Sequence, residues 1–427
     1  MPSTSAGAES SERTPAGGIG RRGFLLAGIG SVGALASGCS LGSNGEAGAD
    51  SGVGSNQQAQ RVPFAGQHQP TIVATPVAGR SALASFKVLA PDREELRTMF
   101  ADLSATIADL MAGRLPEQRG SAYPPAETGV LGAEIRPDHL GIVVSVGASL
   151  FDERYGLADR KPTELVEMPF LSNDRLDPAR SHGDVLISIE ADHEDTVQHA
   201  LRQVMRATRR YLLLSWTLGG YSRGVGPVES ETPRNLMGFK DGTANLDISD
   251  AHLMDRHVWV GPDDDEPAWA VGGSYHVVRV IRMLVEFWDR TRLGEQEAII
   301  GRHKVSGAPL GSEDEFGEIS FADDPDGVRT PLDAHIRLAN PRTPDTEADR
   351  LLRRGFSFAR GVDAVGQLDQ GLAFVSYQRQ LRQFLAVQSR LDGEPLEEYI
   401  LPVGGGFFFA LPGPKDETTS LAAGLLS

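Results

Sequence analysis

Residues 184–218, DVLISIEADHEDTVQHALRQVMRATRRYLLLSWTL, read as strand, helix, strand. Residues 184–189 are a β-branched, apolar run short enough for a buried strand. From 192 to 210 the apolar residues Val197, Leu201, Val204 and Met205 recur at helical spacing, and polar residues fill the gaps. Residues 211–218 return to a compact apolar run, again strand-like.

The same grammar extends upstream. Residues 85–89 alternate as a strand, and Asp92 with Glu95 three positions on marks a helix start. Leu96, Met99, Phe100, Leu103, Ile107 and Leu110 then keep helical spacing, and residues 140–146 form a β-branched strand. The order is β-α-β-β-α-β. It recurs downstream as strand 275–283, helix 284–302, strands 355–359 and 372–377, helix 380–391 and strand 407–411. Two such units define an α+β class with duplicated ferredoxin-like halves and antiparallel sheets. The expected organisation is an N-terminal half over 63–220, a linker over 221–250, a second half over 251–415 and a tail over 416–427.

A length of 427 residues calls for two domains, and a net charge of −17 argues against nucleic acid and anionic membrane surfaces as partners. The first 60 residues differ in composition. Arg21-Arg22 precede an apolar run over 24–36, shorter than the ~20 residues that span a bilayer. Five glycines across 23–38 spoil a stable helix. The stretch reads as a Tat export signal over 1–39, which places the protein outside the cytoplasm, secreted or anchored at the cell surface. Cys39, the only cysteine, ends an Ala-Ser-Gly-Cys run close to a lipobox, so a lipid anchor and plain cleavage both stay open. Residues 40–62 read as a disordered tether.

Two segments carry the chemistry. HIRLANPR begins at His335, an imidazole suited to haem iron, and LLRRGFSFARG opens with an Arg-Arg-Gly whose guanidinium charge can stabilise a nascent anion. Between the halves lies GFKDGTANL, where Asp241 sits between Gly238 and Gly242. The glycines let backbone approach a flat ligand closely, although Gly-x-x-Asp-Gly is equally a plain turn signature. The other histidines show no zinc-ligand spacing.

With PFAGQHQ, VGASLFDERYG, LDPARSHGDVLISIEAD, EQEAIIGRHKVSGAPLG, QGLAFVSYQ and PVGGGFFFALPG, these segments are spread over 62–414, nearly the whole mature chain. Together they resemble the dye-decolourising peroxidases, in particular the branch of Tat-exported enzymes and the haem deferrochelatases of bacterial iron uptake. The resemblance implies one haem b per chain, held in the C-terminal half. It implies His335 as the iron ligand, Asp241 and Arg353 as the distal catalytic pair, and Gly242, Thr243, Ala244, Asn340, Pro341 and Arg342 along the haem. Arg342 suits a propionate, and Leu372 and Phe374 are either pocket wall or plain core. Asp333 and Asp369 are candidates for the second hydrogen bond of His335. The chain departs from the family pattern at Pro70-Thr71-Ile72, where Gly-Ile is expected after Gln69.

The resemblance further implies reduction of hydrogen peroxide at the expense of dyes, phenolics or other reductants. An aspartate as proton carrier, with an ordinary pKa near ~3.9, implies an acidic optimum. Electrons could also arrive through Trp216, Trp259, Trp269, Trp288 or Tyr377. The alternative is iron release from haem with the porphyrin intact, beside an iron permease. The family implies dimers or larger assemblies.

Overall fold

The computed structural model describes residues 61–427 except 134, 136 and 224–231. The export signal, Cys39 and residues 40–60 of the tether therefore lie outside the described residues. Val62, at the end of that tether, is buried in the core.

Among the described residues there are nine strands: β1 Arg80–Val88, β2 Gly141–Gly147, β3 Val185–Ala191, β4 Leu212–Tyr221, β5 Ser274–Met283, β6 Leu352–Arg353, β7 Phe356–Val362, β8 Leu368–Gln378 and β9 Ile400–Ala410. The helices are α1 Arg93–Met111, α2 Glu194–Thr208, α3 Ala251–His257, α4 Val285–Trp288, α5 Leu293–Ile300, α6 His335–Ala339, α7 Leu381–Leu391 and α8 Ala423–Leu426. Asp92 caps α1 by accepting from the amides of Glu94 and Glu95 at 3.0 and 2.9 Å, which satisfies two otherwise orphaned donors. In α2 the buried face runs through Val197, Ala200, Leu201 and Val204. Met205 is exposed, because the next residue at 100° steps past the edge of that stripe.

Within the N-terminal half the strand order is β2-β3-β1-β4, and within the C-terminal half it is β9-β5-β8-β7. Both are the ferredoxin-like arrangement expected, and every ladder between named strands is antiparallel. Periodicity did not disclose that the two sheets join at both edges. Strand β2 pairs with β9 through Ser145↔Ala410, Val146↔Phe409 and Gly147↔Phe408, and β4 meets β7 at Tyr221↔Ser357. Eight strands thus close on themselves, which removes free edges. The β2–β9 seam is stitched by Gln69. Its amide donates to Val144 O and Leu411 O and accepts from Val144 N, each at 2.8 Å. The Pro70–Val73 segment that departs from the family pattern is a short 3-10 turn directly after this stitch.

The closed sheet encloses Leu83, Val143, Leu186, Val278, Phe358 and Phe408, while its outer face packs on α1, α2 and α7. Burial on both faces explains why β2 and β3 read as continuous apolar runs.

Two expectations need correction. The helix expected over 284–302 is two helices, α4 and α5, separated at 289–292. The side-chain amide of Gln296 donates to Trp288 O and Thr291 O, fastening the break and satisfying carbonyls at the end of α4. The last strand begins at Ile400 rather than 407, despite Pro402 and three glycines, because it is zipped to β5 along its length. Residues 416–427 also pack inward: Leu421, Ala422, Leu425 and Leu426 are buried.

Candidate active site

Asp241 owes its position to a small apolar cluster. Phe239 packs edge-on against the fully buried Trp288, whose indole donates to Met237 O at 3.0 Å. Gly238 has φ +87°, and a Cβ there would meet the Lys304 side chain at 2.6 Å. The conformation therefore favours glycine, and a side chain would also have to displace the end of Lys304. Asp241 N donates to Pro233 O at 2.8 Å, fixing the turn.

Arg353 arrives from another direction. Leu352 and Arg353 pair with Tyr377 and Ser376 of β8, in the register that β7 continues from Phe356↔Ala373. Asn245 pins the Arg353 backbone twice: Arg353 N donates to its Oδ1 at 2.9 Å and its Nδ2 donates to Arg353 O at 2.8 Å. The guanidinium Nη1 then donates to Asp241 Oδ1 at 2.6 Å, a charge-assisted contact. Arg354, pointing the other way, is buried and paired with Glu190 of β3 at 2.6 Å, anchoring the segment to the N-terminal half.

His335 opens α6. Its Nδ1 lies 2.7 Å from Glu394 Oε2, a carboxylate with 3% of its side chain exposed. This corrects both candidates for its second hydrogen bond. Asp333 is exposed and Asp369 is paired with Arg360 at 3.0 Å. Burial pulls the imidazole pKa down, the charge and hydrogen bond of Glu394 push it up more, and the net direction is upward. The fields of Arg353 and Asp241 also reach it. His335 lies deep in the protein, yet 34% of its side chain is accessible, so it lines a recess. Asp241 (25%) and Arg353 (32%) are open to a similar degree. With Nδ1 engaged by Glu394, Nε2 of His335 is the nitrogen left for a ligand.

A cavity of about 560 Å³ adjoins this recess, within the size range of cofactor pockets. Thr243, Ala244, Asn340 and Arg342 line it, together with Asn245, Arg302, Glu315 and Arg350. Asp241, Gly242, His335, Pro341 and Arg353 are not on its wall. Asn245 joins the two regions, since it faces the cavity and holds Arg353. Asn340 Oδ1 accepts from Arg342 N at 3.1 Å, and Arg342 adopts φ +58°. That conformation is uncommon for a residue bearing a Cβ and is held here by the Asn340 turn. Burial and mutual repulsion lower the pKa of Arg302, with Arg342 and Arg353 as the repelling charges. An anion among these guanidiniums relieves both costs.

Leu372 and Phe374 are partly buried on the face of β8 that carries Ser376, the cross-strand partner of Arg353. The hydroxyl of Ser376 is buried and makes no hydrogen bond among the described residues. Trp216, Trp259, Trp288 and Tyr377 are buried, and Trp269 donates to Arg160 O.

A flat ligand with an axial position for imidazole nitrogen and anionic substituents fits this donor set. The comparisons with known proteins point the same way. Residues 69–222 match the model of the Dyp-type peroxidase N-terminal region and residues 232–415 that of its C-terminal region. The chain belongs to the Dyp-type peroxidase family. It is 50% identical over 370 residues to the deferrochelatase of Yersinia pseudotuberculosis serotype I (strain IP32953), covering 86% of this chain and 85% of that one. It is also 50% identical over 374 residues to the deferrochelatase of Escherichia coli O6:K15:H31 (strain 536 / UPEC), covering 86% and 88%. Among solved structures, ferric DtpA from Streptomyces lividans superposes with a TM-score of 0.78 at 34% identity, covering 86% of this chain and 98% of that one.

Proposed function

We propose that this chain is a haem b peroxidase of the dye-decolourising type that reduces hydrogen peroxide and oxidises dyes, phenolics or other reductants. The observation that carries the reading is the Asp241–Arg353 pair, open to the same degree as His335, whose Nδ1 is already engaged by Glu394. His335 Nε2 would hold the haem iron, and Arg302 and Arg342 would pair with its carboxylates. Gly242, Thr243, Ala244, Asn340 and Pro341 give the walls. When bound, haem supplies the redox-active iron on which peroxide is reduced.

The side chains do the rest. Glu394 accepts a hydrogen bond from Nδ1–H and makes Nε2 a better metal ligand. An Asp241 carboxylate oxygen would accept a proton from peroxide and return it to the oxygen that leaves as water, with the two electrons for the broken O–O bond supplied by the haem. Arg353 stabilises the negative charge that develops on the departing oxygen. An absorption spectrum recorded with and without hydrogen peroxide tests the reading. His335→Ala should come out without haem absorbance, and retention of an unaltered spectrum overturns the assignment.

A second reading is favoured by the 50% identity to proteins named deferrochelatase: release of iron from haem with the porphyrin intact. Incubation with haem followed by porphyrin fluorescence separates the two, since peroxidase chemistry alone yields no intact metal-free porphyrin. The twin arginine and Cys39 support export by the Tat route with a lipid anchor or cleavage after it. An iron permease as partner and a homo-oligomeric state belong to the same proposal.

A further inference from the structure

Glu315 lies in the loop after α5, and its side chain is only 11% exposed. Its carboxylate accepts from three donors: Lys240 Nζ, Thr232 Oγ1 and, at 2.9 Å, Thr243 Oγ1. Lys240 immediately precedes Asp241, Thr243 follows it by two residues, and Thr232 stands where the segment enters. One buried charge therefore closes the Asp241 loop at its entrance, centre and exit. The Glu315 backbone is fixed in turn, because Arg302 Nη1 donates to Glu315 O at 3.0 Å and to Gly307 O at 2.6 Å. Gly307, with φ +77°, leaves the space over which the Lys240 stem lies. Glu315 and Thr243 also face the cavity.

We propose that Glu315 is a positioning residue, which aims Asp241 at Arg353 by clamping the 232–243 loop. The inference rests on the peroxidase reading above. Three converging donors, one of them charged and 10% exposed, leave the loop a single low-energy arrangement. Burial pushes the Glu315 carboxyl up, but Lys240 and the two threonine hydroxyls hold it below the usual range. The clamp accordingly stays charged at the acid pH where an aspartate proton carrier works best. Removing the carboxylate leaves the buried ammonium of Lys240, the residue before Asp241 in the chain, without its partner, a costly arrangement that the loop relieves by moving.

The test uses haem-loaded Glu315→Ala, Glu315→Gln and the double variant Glu315→Gln with Lys240→Met, beside Asp241→Asn. Three quantities are read: kcat and KM for peroxide, the equilibrium affinity of the ferric protein for cyanide, and haem content with Tm. Glu315→Ala should keep its haem and lose at least tenfold in both kcat/KM and cyanide affinity. Glu315→Gln should lose less in both, and the double variant should recover part of the loss by removing the orphaned ammonium. If Glu315→Ala does not hold haem, the Gln and double variants carry the comparison. Peroxide and cyanide constants unchanged in the Glu315 variants, with Asp241→Asn impaired, overturn the clamp alone. An Asp241→Asn variant that is itself unimpaired overturns the peroxidase reading.

Discussion

Arg353 Nη1 donates to Asp241 Oδ1 at 2.6 Å across 112 residues of chain. The two sit on separate elements, the loop packed edge-on against Trp288 through Phe239 and the strand paired to β8. Because the salt bridge pre-aims both groups, replacing either disturbs the other. Asp241→Asn should lower the second-order rate of the peroxide-induced spectral change by ~10²–10⁴-fold, the range for a lost proton carrier. Arg353→Leu should lower it by ~10²–10³-fold, the range for a lost electrostatic donor. Stopped-flow absorbance ranks the two, and an Asp241→Asn rate equal to wild type contradicts the assignment.

Glu394 is the buried partner of His335 at 2.7 Å. Glu394→Gln keeps the shape and removes the charge. Loss of a hydrogen-bonding partner behind a metal ligand costs ~10–100-fold in affinity or activity. Haem dissociation to an apo-globin acceptor, followed spectroscopically, should accelerate by that order. A rate unchanged from wild type excludes Glu394 from support of the ligand.

Arg342 stands on the cavity wall in a left-handed conformation. Arg342→Ala removes a guanidinium suited to carboxylate, and for a group this open to solvent the loss of haem affinity should be roughly tenfold. Titration of the apoprotein with haem measures it, and haem dimethyl ester serves as the control. Wild type and variant should bind the ester alike.

His276 is fully buried between the sheets, stacked on Tyr377 at 4.4 Å and 2.9 Å from the Ser145 hydroxyl. Burial lowers its pKa to about 3. The unfolded chain takes up this proton near ~6.5, while the folded protein refuses it until about 3. Between those values the unfolded state binds more protons, so stability falls as pH falls, by up to ~1.4 kcal/mol per unit. Denaturant unfolding at pH 7 and pH 4.5 should show this decline, and His276→Gln should flatten it. Equal slopes for wild type and variant remove His276 from the account.

Much of this molecule was legible in the chain alone. Local periodicity and β-branched runs suffice for both β-α-β-β-α-β repeats, because an element's buried stripe is written in its own residues. Asp241, Arg353 and His335 could be named because the short stretches that carry them resemble those of the dye-decolourising peroxidases. The break between α4 and α5 was hidden, since its cause is a side chain folding back on carbonyls.

What the chain alone determined is therefore which residues face inward and which can do chemistry. Only the tertiary structure decided what each of them meets. The closure of two sheets into one ring, Glu394 behind His335 and the three donors on Glu315 are contacts between segments far apart in the chain. A periodic pattern records that a face is covered but not by what, and a lone carboxylate carries no mark of the imidazole or ammonium that folding will bring to it.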